Sequence, residues 1–210
     1  MNSSEFSEKL DQSFINITSF FQEVASLLRD CDRLMGEEGY TTFNGNTAVY
    51  EQSRSVLNPE AWFPAYLSRA YVSEEEAEER SFNRVQFISL YLRYGEGGCH
   101  DVKMIGNIPL LVAGIIIPAN PKSFRFEGWL TKRWFWVEES EKINALSGDI
   151  PKIRVFDVKK GEYNNSKSIK TFAYPLEQVQ GTADLKSKII EKLLETTENN
   201  PDTDDPEILA

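Results

Sequence analysis

One histidine, His100, and two cysteines, Cys31 and Cys99, are all this 210-residue chain has of the softer metal ligands. Zinc takes three or four well-placed Cys, His or carboxylate ligands. The Cys99-His100 pair, beside Asp101 in a glycine-rich loop, is too little for a site within one chain, and no metal is expected. Two cysteines without CxxC spacing do not make a disulfide scaffold, and they fit a reducing, cytoplasmic setting. Long apolar runs are missing too. Residues 108–119 are apolar but carry Pro109, Gly114 and Pro118, and at about a dozen residues they fall short of the ~20 a membrane span needs. No membrane partner is expected. The N-terminal MNSSEFSEKLDQ has no basic segment leading into an apolar one, so no signal peptide is read there.

Phosphate-cradling loops of the GxxxxGK[ST] or GxGxxG type do not occur, and no cofactor is expected. Gly95-Glu96-Gly97-Gly98 is glycine-rich, but Glu96 would repel a phosphate, and a hairpin turn is its expected use. The Gly-x-Ser-x-Gly elbow of serine hydrolases is missing, and Cys99 has no positioned base other than its immediate neighbour.

What the chain does have is charge, unevenly spread. It carries 33 acidic and 23 basic side chains, a net of -10. Residues 1–82 and 173–210 are acidic, whereas residues 83–172 hold 14 of the basic groups against 9 acidic ones. A chain this acidic is a poor start for binding phosphate, so nucleic acid is not the expected partner. Acidic ends lying near a basic middle are the simpler expectation.

Hydrophobic periodicity predicts a helix over residues 4–35. Leu10, Phe14, Ile17, Phe21, Val24, Leu28, Cys31 and Met35 recur at spacings of four and three, and Phe20, Leu27 and Leu34 add a third stripe. Such a helix spans about 48 Å, whereas a compact globule of this chain length is about 43 Å across. The helix must cross the whole domain or overhang it, and an overhanging apolar stripe needs a partner. Gly36 and Gly39 are its natural stops.

Further along, YTTFNGNTAVY at 40–50 reads as a hairpin on a type I′ Asn44-Gly45 turn. Residues 58–72 read as a short helix, Asn58 and Pro59 opening it, followed by an extended stretch. EEEAEE at 74–79 reads as an acidic turn or short helix. Strands are predicted over 84–94, 108–118, 129–137, 152–158 and 169–174. The second is apolar on both faces, hence central, with Gly114 marking a bulge or close approach. A C-terminal helix is predicted over 182–196, capped by Thr182, with Leu185, Ile189, Leu193 and Leu194 inward. The tail 197–210 is acidic. The expected architecture is a single α+β domain over 1–196: a mostly antiparallel sheet of about five strands, within 84–174, packed by a long first helix and a short last one.

Residues 121–136 are the most unusual segment, with six aromatic and four basic side chains among sixteen. Alternation sets Trp134 and Trp136 on one face and Phe135 and Val137 on the other, so both faces need cover. Trp129, Arg133, Trp134 and Trp136 are the candidate binding residues, because Trp and Arg dominate protein contacts. Phe14, Phe21 and Leu28 are the candidate interface or core residues of the long helix. A weak catalytic alternative exists. Asp157-Val158-Lys159 at a strand end has the acidic-x-Lys spacing of metal-dependent nucleases, and Glu138 could complete a carboxylate cluster.

The reading that follows is a cytoplasmic binding or accessory module without chemistry of its own. Its partner would be another protein or a second copy, with a homodimer through the long helix the simplest case. A metal-dependent hydrolase or nuclease at Asp157 and Lys159, and an acidic mimic of nucleic acid, are the rivals.

Overall fold

A computed structural model describes residues 3–50, 56, 63–64, 66–92, 109–127, 154–157 and 166–198. Helix α1 runs from Ser3 to Glu37. Gly39 closes it at φ +81°, a left-handed conformation that suits a residue without Cβ. Seven strands follow among the described residues: β1 (Tyr40–Thr42), β2 (Val49–Tyr50), β3 (Tyr66–Ser73), β4 (Val85–Tyr91), β5 (Leu110–Pro118), β6 (Arg154–Asp157) and β7 (Ser166–Pro175). They form one sheet in the order β1-β3-β4-β5-β7-β6, with β2 also on β3, and every pairing is antiparallel. Helix α2 (Glu74–Glu79) joins β3 to β4.

The chain is α+β, as its periodicities predict, with more strands than expected. The sheet starts at residue 40 rather than 84, because β3 is a full inner strand. It is the extended stretch expected at the end of 58–72, but its buried Ser68 and Arg69 break the apolar pattern, so its inner place in the sheet does not show in sequence. Residues 40–50 are not a hairpin. β1 and β2 do not pair with each other; both lie along β3, Thr42 opposite Tyr71 and Val49 opposite Ser68. They form one edge strand with residues 43–48 looped out. Gly45 takes φ +56° while Asn44 does not take a positive φ, so the type I′ turn is absent. The short helix expected after Asn58 and the strand expected over 129–137 lie outside the described residues.

Side chains divide between two faces with period two. Tyr71, Ile88, Leu90, Leu111, Ala113, Ile115, Phe172 and Tyr174 meet the helices, and Tyr66, Val85, Phe87, Tyr91, Val112, Ile116 and Ile169 face the other way with Phe124 and Phe126. Strand β5 is buried along nearly its whole length, as its two apolar faces require. Gly114 lies where a Cβ would come within 2.1 Å of the Lys170 carbonyl oxygen and 2.9 Å of Phe87 Cζ. Backbone cannot yield as a side-chain tip can. Gly114→Ala is therefore expected to cost at least ~2 kcal/mol; a urea midpoint equal to wild type would contradict this.

The last helical run covers α3 (Gly181–Asp184), a π turn (Leu185–Ile190) and α4 (Glu191–Glu198). It extends two residues beyond the predicted end, so Thr197 and Glu198 are helical rather than tail. Thr182 is not its cap. Instead the Gln180 backbone N–H donates to Asp184 at 2.8 Å, and Lys188 lies 3.3 Å from the same carboxylate. That hydrogen bond first, then Lys188, holds the Asp184 carboxyl below its ordinary pKa. The π turn adds a residue to one turn. Ile189 and Ile190 are consequently both buried with Leu185 and Leu193, while Leu194 is only half-buried.

Candidate functional site

One apolar stripe runs the length of α1, and the sheet covers only part of it. Between residues 24 and 35 the stripe is core: Val24 and Leu28 are 6% and 7% exposed, and Cys31 and Met35 are fully buried. Between residues 6 and 17 the same face is bare. Phe6 is 55%, Leu10 43%, Phe14 61% and Ile17 44% exposed. At 100° per residue these four fall on the line that Val24, Leu28 and Met35 continue. Ile15 is exposed as well, on the opposite side. The boundary is aromatic: Phe21 packs on Phe63 at 5.4 Å and on Phe20 at 5.5 Å between ring centroids.

A buried polar cluster fixes the covered half. Arg69 on β3 donates from Nε and Nη2 to the two Asp32 carboxylate oxygens at 3.0 and 2.6 Å, and from Nη1 to the Thr47 carbonyl at 2.9 Å. The Tyr71 hydroxyl donates to Asp32 at 2.9 Å. The Arg69 side chain is 4% exposed and that of Asp32 29%. A two-pronged bond has one good geometry, so it sets the register of α1 on the sheet as well as its attachment. Each of the three guanidinium nitrogens thus donates to an acceptor, which makes a clamp rather than a reactive group.

Burial pushes the Cys31 thiol and the Tyr71 phenol above their ordinary pKa values, because thiolate and phenolate lose water. The neighbouring Asp32 raises both further. The neutral forms belong to the fold, so their stabilisation is complete below the unfolded-state values of about 8.5 and 10 and is lost as pH rises from there toward the raised folded-state values. Stability is therefore expected to hold from pH 7 to 8 and to drop by pH 10.5 in urea titrations. An alkaline midpoint as high as the neutral one would contradict this origin.

The structure separates the candidate residues of the sequence reading. Phe14 is on the bare half of the stripe, Phe21 at its boundary and Leu28 inside the core. Asp157 ends the outermost strand β6, where its backbone is opposite Ser168. Lys159, Glu138, Trp129, Arg133, Trp134 and Trp136 lie outside the described residues, as do Cys99 and His100. Among the described residues no three His, Cys, Asp or Glu side chains gather as a metal site would require, and no helix is long and apolar enough to cross a membrane. Sequence reasoning missed the Arg69 clamp. Its only signal was an arginine inside an otherwise apolar extended stretch. No known protein family, curated protein or solved structure matches this chain.

Proposed function

We propose that the protein is a non-catalytic accessory module that associates through the N-terminal half of α1, in the first instance with a second copy of itself. The observation that supports this is the single stripe, core at one end and solvent-facing at the other. With a fully open aromatic side chain exposing about 200 Å² and aliphatic ones somewhat less, Phe6, Leu10, Phe14 and Ile17 present roughly 400 Å² per chain. A patch of that size on a monomer is usually functional.

The flanks favour self-pairing. Ser13 and Thr18 border Phe14 and Ile17, and neither carries charge. A parallel pair would set Glu5, Glu8 and Asp11 beside their own copies. An antiparallel pair centred near residue 12 sets them opposite Ser19, Asn16 and Ser13, and it also opposes the helix dipoles favourably. Two copies would bury roughly 800 Å² of apolar surface, less than the ~1,200–2,000 Å² of a standard stable complex. Association in the micromolar range, about -8 kcal/mol, is the expected strength.

A cytoplasmic setting belongs to this reading and is compatible with the free, buried thiol of Cys31. Sedimentation velocity between 1 and 200 μM is the test. A shift from 24.0 kDa toward twice that mass supports the proposal. A constant 24.0 kDa species at every concentration removes the second copy as partner.

A further inference from the structure

Helix α1 meets the sheet body at an aromatic step. Phe63, shortly before β3, packs on Phe20 at 6.0 Å and on Phe21 at 5.4 Å between ring centroids, and Phe20 packs on Phe21 at 5.5 Å. Each of the three rings is only half-buried. Phe21 continues the apolar stripe and Phe20 flanks it. A ring that touches both lies on the stripe side of the helix, so the body rises from the same face that is bare between Phe6 and Ile17. From Ser3 to Phe20 the bare half is about 26 Å long. Phe6, 55% exposed, cannot cover the step of its own chain, because the helix holds it about 22 Å from Phe21.

A step on the stripe side decides how a second copy can lie there. In a parallel pair the two Phe63 rings would stand at one level between the helices and hold them apart. In an antiparallel pair each helix fills the bare half of the other, and its N-terminus stops against the other chain's body. That pair is centred near residue 12, and Phe6 comes level with Thr18 of the other chain. Helical side chains lean toward the N-terminus of their own helix. Phe6 therefore leans toward the other chain's step, and Phe21 leans back to meet it. The acidic groups nearby do not oppose this contact. At 100° per residue Glu5, Glu8 and Glu23 fall about 140–160° from the centre of the stripe, and all three are exposed to water. We infer that in the self-associated protein Phe6 of each chain seats against Phe20, Phe21 and Phe63 of the other, so that the step fixes both the orientation and the register of the pair. This inference rests on the self-association proposed above. It makes Phe63 a contact residue that lies off the helix.

A mixture of two differently labelled full chains tests this. Glu5→Cys in a Cys99→Ser background carries a nitroxide, with Cys31 protected by burial. It is mixed in about fourfold excess with isotope-labelled wild type at about 200 μM, so that the observed amides sense only the nitroxide of another chain. Amide signals of Phe20, Phe21 and Phe63 are expected to lose more than half their intensity relative to the reduced nitroxide, and those of Glu5 and Glu8 much less. Phe6→Ala and Phe63→Ala should each weaken the dimer at least ~10-fold in sedimentation. The double variant should be no weaker than the weaker single one, because both substitutions remove the same contact. A purely structural role of Phe63 would not produce that coupling. A signal loss centred on residues 5–9, intact signals at Phe21 and Phe63, or effects that multiply in the double variant would each overturn the inference while self-association stands. A 24.0 kDa species at every concentration would overturn both.

Discussion

Replacing Asp32 by alanine is expected to lower the unfolding free energy by about 3 kcal/mol. Breaking a buried ion pair typically costs 3–5 kcal/mol because one charge stays behind without its partner. The low end applies here because the Asp32 side chain is 29% exposed and water reaches the site. What remains after Asp32→Ala is the Arg69 guanidinium, 4% exposed, with the Thr47 carbonyl still accepting from Nη1. The reverse substitution should be milder. Arg69→Met leaves a carboxylate that water and the Tyr71 hydroxyl still serve, and the methionine fills the same space, so about 1–2 kcal/mol is expected. The double variant Asp32→Leu/Arg69→Met should recover most of the loss, since two apolar groups replace two desolvated charges. Urea unfolding of the wild type and the three variants measures these differences. Equal losses from the two single substitutions would mean that the pair is effectively solvent-screened and does not hold α1 to the sheet.

The second large effect separates the two halves of one helix. Phe14→Glu should weaken self-association at least ~30-fold, the loss of an aromatic hot spot worth ~2 kcal/mol or more. Its stability should stay within ~0.5 kcal/mol of wild type, because Phe14 touches no core. Leu28→Glu, four helical turns along the same stripe, should instead cost more than ~4 kcal/mol by placing a carboxylate among Ile88, Leu111 and Phe172. Phe21→Glu should show both effects in part, as its contact with Phe63 places it at the boundary. Sedimentation reads the first effect and urea unfolding the second. A Phe14→Glu protein that associates like wild type would show that the bare stripe is not the contact surface.

Elements with a clean period were legible in the sequence, and those whose character comes from distant neighbours were not. Helix α1, strands β4 and β5 and the C-terminal helix follow from spacing alone, because burial of one face forces apolar residues to recur at 3.6 or 2. The close approach at Gly114 was legible too, since a glycine in an apolar strand removes strand-forming surface for some reason of space. Strand β3 was not. Its Ser68 pairs with Ser89 across the sheet and its Arg69 reaches Asp32, 37 positions earlier. Such residues hide an inner strand until the partner is known. The split of 40–50 into two pieces of one edge was hidden for the same reason, because the strand they pair with comes later.

The sequence by itself determined that the chain is α+β, that α1 is a long helix which must cross or overhang the body it packs on, and that its apolar stripe is continuous. These follow from local spacing and from length, quantities that one segment carries alone. Which end of the stripe is core and which is bare was decided only in the tertiary structure. Both ends carry an apolar stripe, and it is the long-range Asp32 and Arg69 clamp, with the packing of Val24, Leu28, Cys31 and Met35, that seats the C-terminal half on the sheet and leaves Phe6, Leu10, Phe14 and Ile17 in water.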